Sequence, residues 1–192
     1  MNIIDRFHVW RRKLRWNKQY RSGRWETLRN DTENIRYQQI IADIKTFGKK
    51  YPSILDLGSG EGVLNEKLQP EDYSYFLGID FSTVSIKKAS EKKFPKSKFI
   101  VADLHNYKPD QNFDVIIFNE AFYYIHASEK ENVLFRIINS LNSNGIIITS
   151  MYREGGGSWG YFDRDPLKKL NFTTVRTPID KTYWKIGVYK KV

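Results

Sequence analysis

The strongest constraint in this sequence is a repeated alternation of short apolar segments with segments of helical periodicity. Five apolar segments are predicted strands, at 53–57, 75–79, 98–102, 113–118 and 146–149. The first four are followed at once by glycine, acidic or amide residues, which are typical of turns. Strands and helices that alternate in this way indicate a parallel sheet with helices on both faces.

Helices and a different tail complete the predicted fold. Helices are predicted at 3–20, 31–47, 63–68, 82–93 and 129–141, the last one ended by Asn144-Gly145. Segments 172–177 and 183–190 are predicted strands with no helix between them, which indicates a closing antiparallel pair. We therefore expect seven strands, most of them parallel.

Length and composition narrow the class of protein. The chain has 192 residues, which suits one domain, and 40% of them are hydrophobic, enough for a core. The absence of cysteine excludes a disulfide scaffold, cysteine-ligated zinc, an iron–sulfur cluster and a cysteine nucleophile. Three scattered histidines form no metal-ligand pattern, so no metal is expected.

No part of the sequence looks like a membrane or export segment. No run approaches the roughly 18–20 apolar residues that span a bilayer. Charged residues interrupt the apolar ones near the N-terminus, unlike the continuous apolar region of a signal peptide. We expect a cytoplasmic protein, with contact at the membrane surface left open.

The excess positive charge is concentrated at one end of the chain. The formal net charge is +10. Residues 1–30 hold nine basic and two acidic residues, whereas residues 31–192 hold 23 basic and 20 acidic ones. The sequence therefore divides into a basic helical arm, 1–30, and a nearly neutral body, 31–192.

A glycine loop follows the first predicted strand. Gly58, Gly60 and Gly62 let the backbone turn tightly and approach a ligand, and Asp80 ends the next strand 20 residues beyond Gly60. A carboxylate at that place accepts hydrogen bonds from ribose hydroxyls. Glu61 lies among the glycines, where a negative charge opposes a pyrophosphate, so the pattern favours a nucleoside with a positive centre.

Four motifs in order resemble the class I S-adenosylmethionine-dependent methyltransferases. Ile54-Leu-Asp-Leu-Gly-Ser-Gly-Glu-Gly62 is similar to their first motif, Gly78-Ile-Asp80 to their second and Ala102-Asp103 to their third, while 113–118 resembles their fourth strand. The resemblance implies a Rossmann-like class I methyltransferase fold. In that fold the sheet has seven strands and is mostly parallel, with the last strand antiparallel.

Three shorter stretches are similar to bacterial nodulation-type N-methyltransferases and to methyltransferases of polysaccharide biosynthesis. They are 16–25, 33–37 and 119–125. This narrower resemblance implies an acceptor that is an amine or hydroxyl of a small molecule or saccharide.

The resemblance also implies a role for nine residues at the cofactor, S-adenosylmethionine. Gly58 and Gly60 would lie under the methionine part and the ribose, Asp56 would orient the amino group, and Asp80 would bind the ribose hydroxyls. Asp103 would accept from the adenine amino group, with Leu104 beside the ring and the Asn119 backbone near the methionine part. Trp25 and Arg36 would close over the cofactor, Arg36 pairing with its carboxylate.

The candidate catalytic residues follow the fourth predicted strand. Glu120 is the best placed of them to accept a proton from, or to hold, an amine or hydroxyl, with Tyr123 and His126 as further candidates. Each has a structural alternative: Glu120 as a loop anchor, Tyr123 as a packing residue, and His126 as a helix-start residue. His8 and His105 are expected on the surface.

Several functional alternatives stay open at the level of sequence. The basic arm suits a lid over the cofactor, a helix at an anionic membrane surface, or a nucleic-acid contact. An RNA methyltransferase is the enzymatic alternative, and a non-catalytic S-adenosylmethionine-binding protein is the alternative of another class. The sequence does not predict an oligomeric state.

Overall fold

The computed structural model describes residues 3–192, apart from the side chains of residues 3–7 and 9. Its α-helices are α1 Ile3–Arg21, α2 Asp31–Phe47, α3 Val63–Lys67, α4 Thr83–Glu91 and α5 Lys130–Ile138. Its strands are β1 Ser53–Leu57, β2 Tyr75–Asp80, β3 Ser97–Val101, β4 Phe113–Asn119, β5 Leu141–Tyr152, β6 Leu167–Arg176 and β7 Tyr183–Lys191. Short 3-10 helices include Arg24–Arg29, between α1 and α2.

The seven strands form a single sheet in the order β3-β2-β1-β4-β5-β7-β6. Strands β1 to β5 are parallel, and β7 runs antiparallel to both β5 and β6. This arrangement confirms the predicted Rossmann-like class I methyltransferase fold. The carboxyl ends of β1 to β4 therefore meet at one edge of the sheet.

Apolar residues cover both faces of the sheet. Alternate residues of β1 point to opposite faces, so Leu55 and Leu57 pack with α5 while Ile54 packs with α2 and α3. All three are fully buried. Burial on both faces explains why the central strands are nearly continuous apolar runs.

The fifth strand differs from its prediction. Helix α5 ends at Ile138, three residues early, and β5 already starts at Leu141 instead of Ile146. Asn144 adopts a left-handed φ of 64°, and the pairing of β4 with β5 shifts register there. Asn144-Gly145 thus forms a bulge inside a strand, a position that uses the same left-handed backbone as a helix end.

Helix α1 is attached to the body along one side. Asn17 is buried, and its Oδ1 accepts a hydrogen bond from Ser82 Oγ at 2.6 Å, at the N-terminus of α4. Lys88 Nζ donates to the backbone oxygen of Tyr20 at 2.8 Å. The helical spacing of Ile3, Phe7, Trp10 and Leu14 predicts an apolar stripe on α1. Trp10 is 54% exposed and Leu14 49%, and the side chains of Ile3 and Phe7 lie outside the described residues.

Within residues 3–192, no helix combines the length and the apolar character that crossing a membrane requires.

Replacing Asn17 with alanine should loosen α1 without unfolding the sheet. The buried Ser82 hydroxyl would lose its acceptor, and an unpaired buried polar group destabilises the contact that contains it. Hydrogen exchange of α1 amides should speed up by about tenfold while β1 and β4 amides stay protected. Gln19→Ala on the same helix is the matched control, and equal exchange in both variants would contradict the assigned role of Asn17.

Candidate functional site

Two connected clefts lie at the carboxyl ends of the parallel strands. The narrow cleft, of about 60 Å³, lies over β2 and β3 and includes Asp80, Asp103 and Leu104. The wide cleft, of about 350 Å³, lies over β1 and β4 and includes Asp56 and Arg36. Residues that line both clefts are Trp16, Gly58, Glu120 and Tyr124.

The glycine loop brings backbone close to its neighbours. Gly58 and Gly60 have φ of 83° and 54°. A Cβ on Gly58 would lie 2.7 Å from the Cβ of Ala121, and one on Gly60 would lie 2.7 Å from Tyr20 Oη. Neither position has room for a side chain, so the loop can present bare backbone to a ligand.

Glu61 does not face the ligand site, in contrast to the prediction that its negative charge opposes a pyrophosphate there. Its carboxylate pairs with Lys88 at 2.8 Å and with Arg29 at 3.3 Å, and it is not among the described residues that line either cleft. Its charge is therefore neutralised where 3-10 helix Arg24–Arg29 and α4 meet the loop. The case against a dinucleotide rests instead on the carboxylates that do line the clefts.

Asp80 is buried at the end of β2 and stays attached to the loop. Its carboxylate accepts from the backbone N–H of Gly60 at 3.1 Å and from that of Ser82 at 2.8 Å. Burial raises its pKa to about 6, although these two hydrogen bonds oppose the shift. A carboxylate has about four acceptor positions, so capacity remains for hydroxyl donors.

Asp56 is the least satisfied group of the site. It is 1% exposed, and its Oδ1 has no hydrogen-bond partner among the described residues. Burial and, secondly, the charge of Asp80 raise the pKa of Asp56 to about 7, while Arg36 opposes the shift. A buried carboxylate without a donor is costly unless a ligand supplies one.

Arg36 is buried in the wall of the wide cleft. Its guanidinium pairs with Glu33 at 2.7 Å and donates to Asn119 Oδ1. Burial by itself would lower the pKa of Arg36, but Tyr37, Glu120 and Glu33 raise it overall. Some of its five N–H donors remain for a carboxylate ligand.

His105 is a site residue that the sequence analysis placed wrongly on the surface. Its side chain is 10% exposed, and its Nδ1 lies 2.6 Å from Asp103 Oδ1. Its Nε2 accepts from the backbone N–H of His126 at 3.2 Å, so the neutral ring carries its proton on Nδ1 and donates it to Asp103. The pKa of Asp103 is low, because these hydrogen bonds outweigh the effect of burial.

The structure joins Glu120 and Tyr123, two of the three catalytic candidates, and leaves His126 apart from them. Glu120 accepts from Tyr123 Oη at 2.6 Å, from Ser150 Oγ at 3.0 Å and from the Tyr152 N–H at 3.1 Å. Burial raises the pKa of Glu120, while Arg36 and these hydrogen bonds oppose the shift. His126 caps 3-10 helix Ala127–Glu129 and is not among the described residues that line either cleft.

An aromatic wall from the basic arm closes the site. Trp16 lies between Trp25 and Tyr124, with ring centroids 5.1 and 5.0 Å away, and 5.5 Å from Phe81. Trp25 Nε1 has no hydrogen-bond partner within the described part of the chain. Of these aromatic residues, Trp25 was predicted from the sequence, whereas Trp16 and Tyr20 were not. The four-residue spacing of Trp16 and Tyr20 on a helix could have indicated that they share a face.

Two further predicted residues, Leu104 and Asn119, line the clefts. Leu104 lines the narrow cleft beside Asp103, and Asn119 lines the wide cleft. No group of three or more histidine, aspartate or glutamate side chains suited to a metal ion occurs among the described residues.

The fold and the site together define a Rossmann-like class I methyltransferase domain. The chain belongs to the methyltransferase-domain family, whose sequence profile matches residues 49–171. That family implies S-adenosylmethionine as the cofactor, and the residues fit it. The unpartnered Asp56 oxygen suits an ammonium group, and the glycine cradle excludes any side chain that would fill the cofactor's place.

Sequence similarity to a curated protein extends over most of the chain. Malonyl-[acyl-carrier protein] O-methyltransferase 1 of Ilyobacter polytropus is 30% identical over 176 residues, covering 89% of this chain and 60% of the relative. The chain spans between 43% and 60% of the length of the curated relatives it matches.

Solved structures agree on the fold. N-methyltransferase NodS from Bradyrhizobium japonicum, in complex with S-adenosyl-l-homocysteine, has a TM-score of 0.74 and 17% identity, covering 87% of this chain and 91% of its own. A 1,6-didemethyltoxoflavin-N1-methyltransferase from Burkholderia thailandensis has a TM-score of 0.78 and 13% identity, covering 96% and 90%. At such identities the likeness concerns the fold alone.

Replacing Asp56 with asparagine should stabilise the free protein and weaken cofactor binding. The raised pKa of Asp56 means that its contribution to stability is present at low pH and is lost as the pH rises through about 7. At pH 8, Asp56→Asn should therefore raise the melting temperature of the free protein by at least about 2 °C, with a smaller gain at pH 5.

The same variant should bind S-adenosylhomocysteine more weakly, because an amide lacks the charge that pairs with an ammonium group. Wild-type affinity should rise with pH through about 7, and the variant should lose that dependence. Calorimetry at pH 5.5, 7 and 8 measures both effects. Unchanged affinity in the variant would contradict the role of Asp56.

Removing the His105 side chain should weaken recognition of adenine. His105→Ala deprives Asp103 of its ring hydrogen bond, so we expect about tenfold weaker binding of S-adenosylhomocysteine. S-inosylhomocysteine, which lacks the adenine amino group, should change little. His126→Ala is the matched control, since it keeps the backbone N–H that His105 accepts; equal losses in both variants would refute the assignment.

Proposed function

We propose that this protein transfers a methyl group from S-adenosylmethionine to an amine or hydroxyl of a small molecule or saccharide. The observation that carries the proposal is the junction of the two clefts at Gly58 and Glu120. A nucleoside in the narrow cleft would extend past Gly58 toward the unpartnered Asp56 carboxylate. The rest of the wide cleft then remains for an acceptor beside Glu120.

The cofactor supplies a methyl group that is already activated on a sulfonium, so the protein contributes orientation and a dry site. Asp80 and Asp103 would hold the ribose and adenine at one end. Asp56 and Arg36 would hold the amino and carboxylate groups at the other end. Contacts with these four residues would fix the cofactor along its length, so its methyl group would point in one direction only.

The Glu120–Tyr123 pair is the proposed acceptor contact. Glu120 already accepts three hydrogen bonds within the protein, so it holds the Tyr123 hydroxyl at 2.6 Å and has little capacity left for a ligand. The Tyr123 oxygen can accept from an acceptor N–H or O–H and relay its proton to Glu120. The raised pKa of Glu120 makes it a better proton acceptor than an exposed carboxylate.

The side chains of the wide cleft favour a compact ring-bearing acceptor. Trp25, Tyr152 and Trp184 line it, and aromatic rings pack well on flat or sugar rings. Three carboxylates line the same cleft, those of Glu33, Asp56 and Glu120, against the one guanidinium of Arg36. That balance repels a phosphate backbone, so an RNA acceptor is disfavoured.

We place the protein in the cytoplasm and favour a saccharide as its methyl acceptor. Zero cysteines fit the reducing cytoplasm, and the resemblance to polysaccharide-biosynthesis methyltransferases favours a saccharide acceptor. The printed names of similar proteins include both an O-methyltransferase and an N-methyltransferase, so amine and hydroxyl acceptors both belong to the proposal.

The test combines calorimetry with a methyl-transfer screen. S-adenosylmethionine should bind the wild-type chain, and Asp80→Ala should weaken that binding, because Asp80 is the proposed ribose ligand. Methyl-labelled cofactor would then be incubated with nucleotide sugars, chitooligosaccharides and tRNA. Cofactor binding without transfer to any of them would favour a non-catalytic binding protein, and transfer to tRNA alone would favour an RNA methyltransferase.

Replacing Tyr123 with phenylalanine should lower kcat by about 10²-fold or more, because proton transfer contributes typically 10²–10⁴-fold. Affinity for S-adenosylhomocysteine should stay unchanged. Tyr161→Phe is the matched control, since Tyr161 packs against Phe122 outside the two clefts. An undiminished kcat in Tyr123→Phe, once an acceptor is known, would exclude the proposed relay.

A further inference from the structure

Helix α1 has two faces with opposite surroundings. The inner face carries Trp16, Asn17 and Tyr20, of which Asn17 and Tyr20 are buried against the body. On the outer face, Leu14 is 49% exposed, and Trp10, one turn earlier and two turns before Asn17 at the edge of that face, is 54% exposed. The most apolar described residues of the outer face are thus presented to solvent instead of to the core.

Basic side chains flank this exposed pair. Arg11, Arg15 and Lys18 are exposed, and Arg11 and Arg15 line a surface groove together with His8 and Arg12. Residues 1–30 carry a formal charge of +7, from nine basic and two acidic residues. An apolar pair with tryptophan, bordered by arginines on a long helix, matches a helix that lies in the plane of a membrane interface.

We propose that the outer face of α1 docks the protein on an anionic lipid bilayer. Trp10 and Leu14 enter the headgroup region, while Arg11, Arg15 and Lys18 contact the lipid phosphates. The partner surface must be flat, because Trp16 and Tyr20, on the side of α1 opposite Arg11, pack over the wide cleft of the body. A protein groove that encloses a helix would need that side free. A nucleic acid would satisfy the arginines but leave Trp10 and Leu14 in water.

The docking face lies close to the site. Trp16 and Arg12 line the narrow cleft from the same helix, and Trp16 lies about 9 Å along the helix axis from Trp10. Docking through the outer face therefore leaves the inner-face contacts of Trp16 intact.

The experiment uses the full chain and vesicles of defined composition. Vesicles of phosphatidylcholine with 30% phosphatidylglycerol are compared with pure phosphatidylcholine, at about 50 and about 500 mM NaCl, by co-sedimentation. Binding should require phosphatidylglycerol and weaken at high salt, since screening shortens the reach of the arginines. Trp10→Ser with Leu14→Ser, and separately Arg11→Glu with Arg15→Glu, should each weaken binding by at least about tenfold.

Matched controls separate a docking face from general stickiness and charge. Phe135→Ser removes a 61% exposed aromatic residue from α5, and Lys98→Glu with Lys108→Glu makes the same charge change on the body. Both controls should bind vesicles like the wild type. Every variant should keep its thermal shift with S-adenosylhomocysteine, which shows that it is folded.

Three results would overturn the proposal. They are no binding to the anionic vesicles, equal loss in the controls and the α1 variants, and loss in Arg11→Glu with Arg15→Glu alone. The last result, together with tighter binding to tRNA than to vesicles, would assign the helix to nucleic acid.

Discussion

The structure is organised around two carboxylates buried next to each other at the ends of neighbouring strands. Asp56 lies opposite Gly78 in the parallel pairing of β1 with β2. Asp80 follows Gly78 by two residues, so its side chain is on the same face of the sheet as that of Asp56. Burial raises the pKa of both carboxyl groups, and the charge of Asp80 further raises that of Asp56. A fold that keeps such a pair sacrifices stability for a place where a positively charged ligand is favoured.

The other parts of the site can be understood from that pair. The glycine loop presents backbone instead of side chains, and the Gly60 N–H donates to Asp80. Arg36 balances the negative charge from the side, but Glu33 and Asn119 also hold it, so it does not collapse onto Asp56. Trp16 and Tyr20 line the wide cleft together with Asp56.

Helix α1 belongs to the site as much as to the arm. Its inner face closes the clefts, and its outer face presents arginines with an exposed tryptophan. The charge that dominates the composition is therefore located on the element that covers the site, while the clefts themselves are acidic and aromatic. The net charge therefore reflects the basic arm and not the charge of the two clefts.

Local sequence patterns predicted the structure correctly where a pattern has only one structural explanation. The strand ends before Gly58, at Asp80 and before Asp103 were found because apolar runs stopped at glycine or acidic residues. Asn144-Gly145 was misinterpreted because a helix end and a strand bulge need the same left-handed backbone. His105 was misplaced because nothing local distinguishes an exposed histidine from one that holds a carboxylate two residues earlier.

The sequence by itself determined the alternation of strands and helices, the glycine loop, the order of the acidic strand ends and the basic arm. These follow from periodicity and from residues close along the chain. Only the tertiary structure decided which carboxylate lacks a partner, that Glu61 is neutralised by Arg29 and Lys88, and that Trp10 and Leu14 face outward. Those outcomes depend on contacts between residues far apart in sequence, and burial and pairing exist only once the chain has folded.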